Sequence, residues 1–218
     1  AGSNSQQNIR DPHAVKGDPA TTSFAAMALL RSGHTPQKGK YKSTVRKATE
    51  ALVKIVEASP TEGPKITQLT GTQPQAKMGQ YVDTSLTARF LARVLNELPK
   101  KSKLRKRVDK AIDKCIVKIQ NSQQKDGSWK GGGWAPVLQS SLAEQALEIA
   151  QSAGKQIDKE VLKRARENQK DNFDDDSGVV RSDKAAGVEL YAFAGAQRAT
   201  ASETWEANDI IQKSFLNR

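Results

Sequence analysis

Leu104-Arg105-Lys106-Arg107-Val108-Asp109-Lys110-Ala111-Ile112-Asp113-Lys114-Cys115-Ile116-Val117-Lys118-Ile119 decides the fold class. Leu104, Val108, Ala111, Ile112, Cys115, Ile116 and Ile119 recur at steps of three and four, which places them on one side of an α-helix. Lys106, Lys110, Asp113 and Lys114 fall on the other side. The same period runs through Val45, Ala48, Leu52, Ile55 and Val56. It returns in Leu86, Phe90, Leu91, Val94, Leu95 and Leu98, where Pro99 acts as a stop. A further run is Leu142, Ala146, Leu147, Ile149 and Ala150. Ser141-x-x-Glu144 reads as a capping box opening it, with hydroxyl and carboxylate serving backbone N–H groups of the first turn. Val161, Leu162 and Ala165 predict a shorter helix opened by Asp158, and Thr200-x-x-Glu203 predicts the start of a last one. Val179-Val180 is too short to predict a strand. The expected class is all-α.

Residues 24–30 and 185–194 differ from these stripes, being apolar nearly all round. Such helices are expected to be buried on every side, so central and outer helices should coexist. The segments also repeat. Thr22-Ser23-Phe24-Ala25, Thr84-Ser85-Leu86-Thr87 and Ser140-Ser141-Leu142-Ala143 each precede a helical run, a loop and a second run: Val45-x-x-Ala48, Val108-x-x-Ala111 and Leu162-x-x-Ala165. The irregular spacing, 54 to 63 residues, fits one helical hairpin per repeat with loops of varying length. Residues 182–218 predict a fourth hairpin, and residues 59–79, rich in Pro, Gly, Thr and Gln, predict a long surface loop. Residues 1–17 read as a flexible N-terminal segment and residues 18–218 as a single domain of about four hairpins.

Composition narrows the function classes. No run of about 18 apolar residues is present to form a spanning helix. A single cysteine excludes a disulfide within the chain. The net charge of +11 falls entirely in residues 1–109, while residues 110–218 are balanced. Within the basic half, Lys100, Lys101, Lys103, Arg105, Lys106 and Arg107 form a candidate anion-binding run that could grip phosphates; a solvated turn is the plainer reading. No aromatic side chain interleaves with it, which argues against stacking of single-stranded bases.

The loop after the helix quoted first runs Gln120-Asn121-Ser122-Gln123-Gln124-Lys125-Asp126-Gly127-Ser128-Trp129. Gln123, Gly127 and Trp129 resemble the Gln-Trp motif of squalene-hopene cyclases and their relatives. Asp-Gly suits a turn with positive φ, and the Gln amide can bond backbone groups at a neighbouring helix end beneath the Trp ring. Gly131-Gly132-Gly133-Trp134 then leads into the next helix, and Ser32-Gly33-His34-Thr35-Pro36 with Gly39 and Tyr41 resembles the loop between paired helices in bacterial prenyltransferase/squalene-oxidase repeats. The resemblance covers residues 18–200 and implies repeated hairpins forming part or all of an α/α toroid. A closed ring of that type takes about six hairpins. Residues 169–178 lie at the corresponding place one repeat later, with Phe173 in the Trp position.

The catalytic signatures of that superfamily are missing from this chain. A cyclase needs an Asp-x-Asp-Asp acid held protonated in an apolar, aromatic-lined pocket. Here Asp171, Asp174, Asp175 and Asp176 have the wrong spacing, and aromatic residues make up 5% of the chain. Asp174, Asp175 and Asp176 are a weak calcium candidate, lacking the EF-hand spacing. Prenyltransferase zinc takes Asp, Cys and His. Asp113 and Cys115 point about 200° apart on a helix, and His13 and His34 lie well upstream. Cys115 reads as a small core residue and His34 as a loop-packing residue. No Cys-Gly-Glu-Gln thioester run exists. No catalytic, metal or cofactor residue is assigned. The expected function is a non-catalytic repeat module for a protein, peptide or glycan partner. The alternative is a divergent cyclase-like enzyme or isoprenoid-lipid binder with a central apolar cavity, and a polyanion partner for the basic half is a third reading. The resemblance is to bacterial proteins, and neither the cytoplasm nor export is favoured.

Overall fold

A computed structural model describes residues 17–174, 176–181 and 188–216. They form α1 (Pro19–Arg31), α2 (Lys42–Ala58), α3 (Gln73–Met78), α4 (Val82–Leu95), α5 (Lys103–Asn121), α6 (Pro136–Ser152), α7 (Lys159–Lys170), β1 (Phe173–Asp174), β2 (Val179–Val180) and α8 (Glu189–Leu216). The protein is all-α apart from the two-residue antiparallel pair β1–β2, which Val179-Val180 alone did not predict.

The helices pack in two layers. α1, α4, α6 and α8 are neighbours in series; α2 lies against α1 and α5, α5 against α4 and α6, and α7 against α6 and α8. The amphipathic stripes explain the second layer. Val45, Leu52 and Val56 of α2, and Val108, Ile112, Cys115 and Ile119 of α5, are buried in one core with Phe90, Leu91, Val94 and Leu95 of α4. Each fully buried side chain of this size contributes roughly 1.5–3 kcal/mol. Cys115 is a core residue, and burial pushes its thiol up to about 12.

Burial in the first layer departs from the expectation. Residues 24–30 are not enclosed: Phe24 is 49% exposed, and Ala25 and Ala28 are exposed too. In residues 185–194, Phe193 and Ala194 are exposed while Ala192 is buried; residues 185–187 lie outside the described residues. The helix enclosed nearly all round is α4, which has α1, α5 and α6 about it. Its buried polar groups find partners. Asp83 Oδ1 accepts from Ala20 N (3.1 Å) and Oδ2 from Gln75 Nε2 (2.7 Å). Thr84 Oγ1 donates to the Pro64 carbonyl (2.6 Å), and Thr87 Oγ1 lies 3.3 Å from Ser23 Oγ. Burial follows the number of neighbouring elements, and satisfied hydrogen bonds let a polar helix occupy the centre.

Helix boundaries also move. Pro19 and Pro136 start α1 and α6 ahead of the repeated Thr/Ser positions, since proline fits the first helical turn. Ser141 and Glu144 therefore lie inside α6 and form no capping box. Asp158 does cap α7, accepting from Glu160 N (2.8 Å). Thr200 opens nothing: α8 runs unbroken through it, so the expected fourth hairpin is one long helix within the described residues. Its second half meets α7 through Glu203 and Glu206 and leaves Trp205, Ile210 and Phe215 exposed. The 59–79 loop contains α3, opened by a true capping box between Thr72 and Gln75. Residues 1–16 lie outside the described residues.

Candidate binding surface

Gln123, Gly127 and Trp129 come together in the loop between α5 and α6, beside the first turns of α7. Gln123 Nε2 donates to the carbonyls of Gly127 (3.1 Å) and Val161 (2.8 Å), and Gln123 Oε1 accepts from Arg164 Nη2 (2.8 Å). Trp129 is 1% exposed, and its Nε1 donates to the Ile119 carbonyl (2.7 Å) at the C-terminal end of α5. Gly127 has φ +80°, and a Cβ there would run into the Arg164 carbonyl. Asp126 shapes the turn: burial raises its pKa, but Lys130 and Ser128 outweigh that and hold it at about 2. The motif is thus a clamp that satisfies a carbonyl in the last turn of α5 and adds a side-chain bond to a carbonyl in the first turn of α7.

The basic run does not converge. Arg105 donates to the Leu95 and Leu98 carbonyls at the end of α4, and Arg107 forms a two-bond pair with Glu57 of α2 (2.8 and 2.7 Å). Lys100, Lys101, Lys103 and Lys106 are exposed around them. In the acidic loop, Asp174 Oδ1 accepts from the backbone N–H groups of Asp176 (3.0 Å) and Ser177 (3.2 Å), a local turn; Asp175 lies outside the described residues. Among the described residues no cluster of His, Cys, Asp or Glu is placed to hold a metal. His34 packs edge-on to Tyr41 at 5.0 Å, as a loop residue.

Two charged groupings were not read from the sequence. The first joins α6, α7 and α8. Arg166 meets Glu206 with two bonds (2.7 and 2.8 Å) and Glu148 with one (3.2 Å). Arg198 Nη1 lies 2.5 Å from Glu148 Oε2, and its Nη2 2.5 Å from Glu144 Oε2. Glu144 is fully buried, and burial lifts its pKa to about 7 against the pull of Arg198. It lines none of the clefts described below.

The second grouping lies on the side of the first layer turned away from α5. Arg89 and Arg93 sit about half a helical turn around α4 from Leu91, which faces the core. A cleft of about 520 Å³ opens there between α1, α4 and the end of α6, lined by Met27, Leu30, Arg31, Ala92, Arg93 and Ile149, with Glu97 at its side. A narrower cleft of about 200 Å³ adjoins it through Met27 and Arg31, lined by Phe24, Ala28, Leu86 and Arg89. Among the described residues Arg31, Arg89 and Arg93 make no ion pair, and Arg89 Nε is buried without an acceptor. Burial, then the like charges of Arg31, Arg198 and Arg93, lowers the Arg89 pKa to about 10, so it still carries its charge at neutral pH. The legible signal for this face was an arginine pair at i,i+4 inside Leu86-x-x-Arg89-Phe90-Leu91-Ala92-Arg93, an otherwise apolar run. Among family models, curated proteins and solved structures, none matches this chain.

Proposed function

We propose that this chain is a non-catalytic helical-repeat module, related to the squalene-cyclase and prenyltransferase repeats, that binds a protein or peptide partner across the open face of α1, α4 and α6. One observation carries the reading: the clefts of that face are open and adjoining, walled by apolar and arginine side chains with Asn96, Ser152 and the exposed Glu97 at the wider one, and among the described residues no buried carboxylate lines them. Repeat arrays offer such extended surfaces to partners. The Gln123–Gly127–Trp129 clamp and the alternation of two helix layers support the kinship, since both are what the resemblance implies. Fold kinship alone assigns no chemistry.

The test is to pan a random peptide library on the immobilised protein beside Ala28→Trp, which fills the narrower cleft from an exposed position. Peptides retained by the wild type and lost by Ala28→Trp support the reading. Enriched peptides indifferent to Ala28→Trp, or no enrichment, overturn it. A second reading, an isoprenoid-lipid site, draws on the Phe24, Met27, Ala28 and Leu86 walls. It predicts that geranylgeranyl diphosphate raises the wild-type melting temperature and leaves that of Ala28→Trp unchanged.

A further inference from the structure

We infer that the open face of α1, α4 and α6 recognises an extended acidic peptide, its carboxylates received by Arg31, Arg89 and Arg93 and its apolar side chains by the clefts between them. The inference rests on the module reading above and adds the chemistry of the partner.

Charge complementarity is the first ground. Arg31 and Arg93 stand in the last turns of α1 and α4, where the negative end of a helix favours a cation. That accounts for two of the three. It does not account for Arg89, in the body of α4, partly buried and surrounded by like charge. An unpaired guanidinium in such a place is destabilising. Elsewhere in this protein the buried arginine is matched, as Arg166 is by Glu206 and Glu148. On the open face no acidic side chain is supplied to Arg89 among the described residues, so the matching anion comes from a ligand.

The second ground is shape. The two clefts adjoin through Arg31 and Met27, so a ligand following them is elongated. A lone phosphate would leave the apolar walls of both clefts uncovered. The apolar lining, Phe24, Met27, Leu30, Leu86 and Ile149, suits aliphatic side chains alternating with acidic ones, and the exposed Glu97 beside Arg93 confines the ligand's carboxylates to the three arginines. Arginine in place of lysine fits the planar fork of a carboxylate. The single aromatic ring on these walls, Phe24, gives no platform for successive nucleic-acid bases.

The experiment is fluorescence anisotropy with a labelled short peptide in which Glu alternates with Leu, and its counterpart with Gln for Glu. The protein is the wild type, the double variant Arg31→Gln/Arg93→Gln, and a charge-matched control, Lys103→Gln/Lys106→Gln, on the solvent side of α5. The expected result is binding of the Glu peptide by wild type and control, at least ~10-fold weaker binding by the arginine variant, and a similar loss for the Gln peptide. Equal loss in the lysine control overturns the inference, because the attraction would then be overall charge. Equal binding of the Gln peptide overturns it, and so does inorganic pyrophosphate saturating the arginines where the Glu peptide fails to bind. If the library yields peptides that Ala28→Trp abolishes but that are neutral and indifferent to Arg31→Gln/Arg93→Gln, the module reading stands and this inference falls. If the library yields none, both fall.

Discussion

The surroundings of α7 and the open face of α1 and α4 use arginine in opposite ways. Around α7, Arg164 bonds Gln123, Arg166 meets Glu206 and Glu148, and Arg198 meets Glu148 and Glu144. On the open face Arg31, Arg89 and Arg93 have no acidic partner among the described residues. A matched arginine ties the helices that carry it and its carboxylate, and an unmatched, partly buried one costs stability. The first region ties packed helices together, and the second leaves its arginines without an acidic partner among the described residues.

The largest break in this contrast comes from Trp129→Ala. Removing a fully buried indole and its bond to the Ile119 carbonyl costs ~3–5 kcal/mol, read as a fall in the urea midpoint. A loss no larger than that of a surface substitution would show that Trp129 does not tie the end of α5 to the start of α6.

Glu144 sharpens the contrast through pH. Its folded pKa, about 7, exceeds the ordinary 4.5, so between these values the folded protein holds a proton that the unfolded chain has released. Its contribution is fully present below pH ~4.5 and is lost as pH rises through ~7, about 3 kcal/mol at most. Glu144→Gln removes that slope. The stability of the wild type relative to the variant should be greater at pH 5 than at pH 8, measured by chemical unfolding. A gap unchanged with pH would mean that Arg198 holds Glu144 in the usual carboxylate range.

Gln123→Leu removes the bonds to the Gly127 and Val161 carbonyls and to the Arg164 guanidinium and is expected to cost ~1–2 kcal/mol. The melting temperature should fall less than for Trp129→Ala. The smallest effect has the opposite sign. Arg89→Met removes a partly buried, unpaired charge while keeping its aliphatic stem, and should raise stability by ~1 kcal/mol. It should also weaken the Glu peptide. A variant both less stable and equally able to bind would erase the distinction between the two regions.

Much of the second layer was legible. The α5 stripe from Leu104 to Ile119, the α2 stripe and the Asp158 cap are local patterns, set by helix period and by the orphan N–H groups of a first turn. Gln123, Gly127 and Trp129 were legible because their bonds close over short loops to adjacent helix ends. The first layer misled. Phe24 and Ala28 suggested a buried helix and are exposed, whereas the polar Asp83, Thr84 and Thr87, on which no such expectation rested, are buried. Ser141 and Glu144 matched a capping box, but Pro136 had already started α6. Arg89 and Arg93 stand out in the sequence as a charged pair in an apolar run, but the cleft they face is formed with α1 and α6, which that run does not record.

The sequence by itself determined that this chain is all-α, which side of each second-layer helix is apolar, and how the loop after α5 turns. These depend on residues three or four apart, whose geometry the backbone fixes. Only the tertiary structure decided that α4 is central, that α8 is a single helix, and which arginines meet a carboxylate. Those outcomes depend on groups far apart along the chain, such as Ala20 with Asp83 and Arg166 with Glu206. Their meeting is set by how whole helices stack, which no local period records.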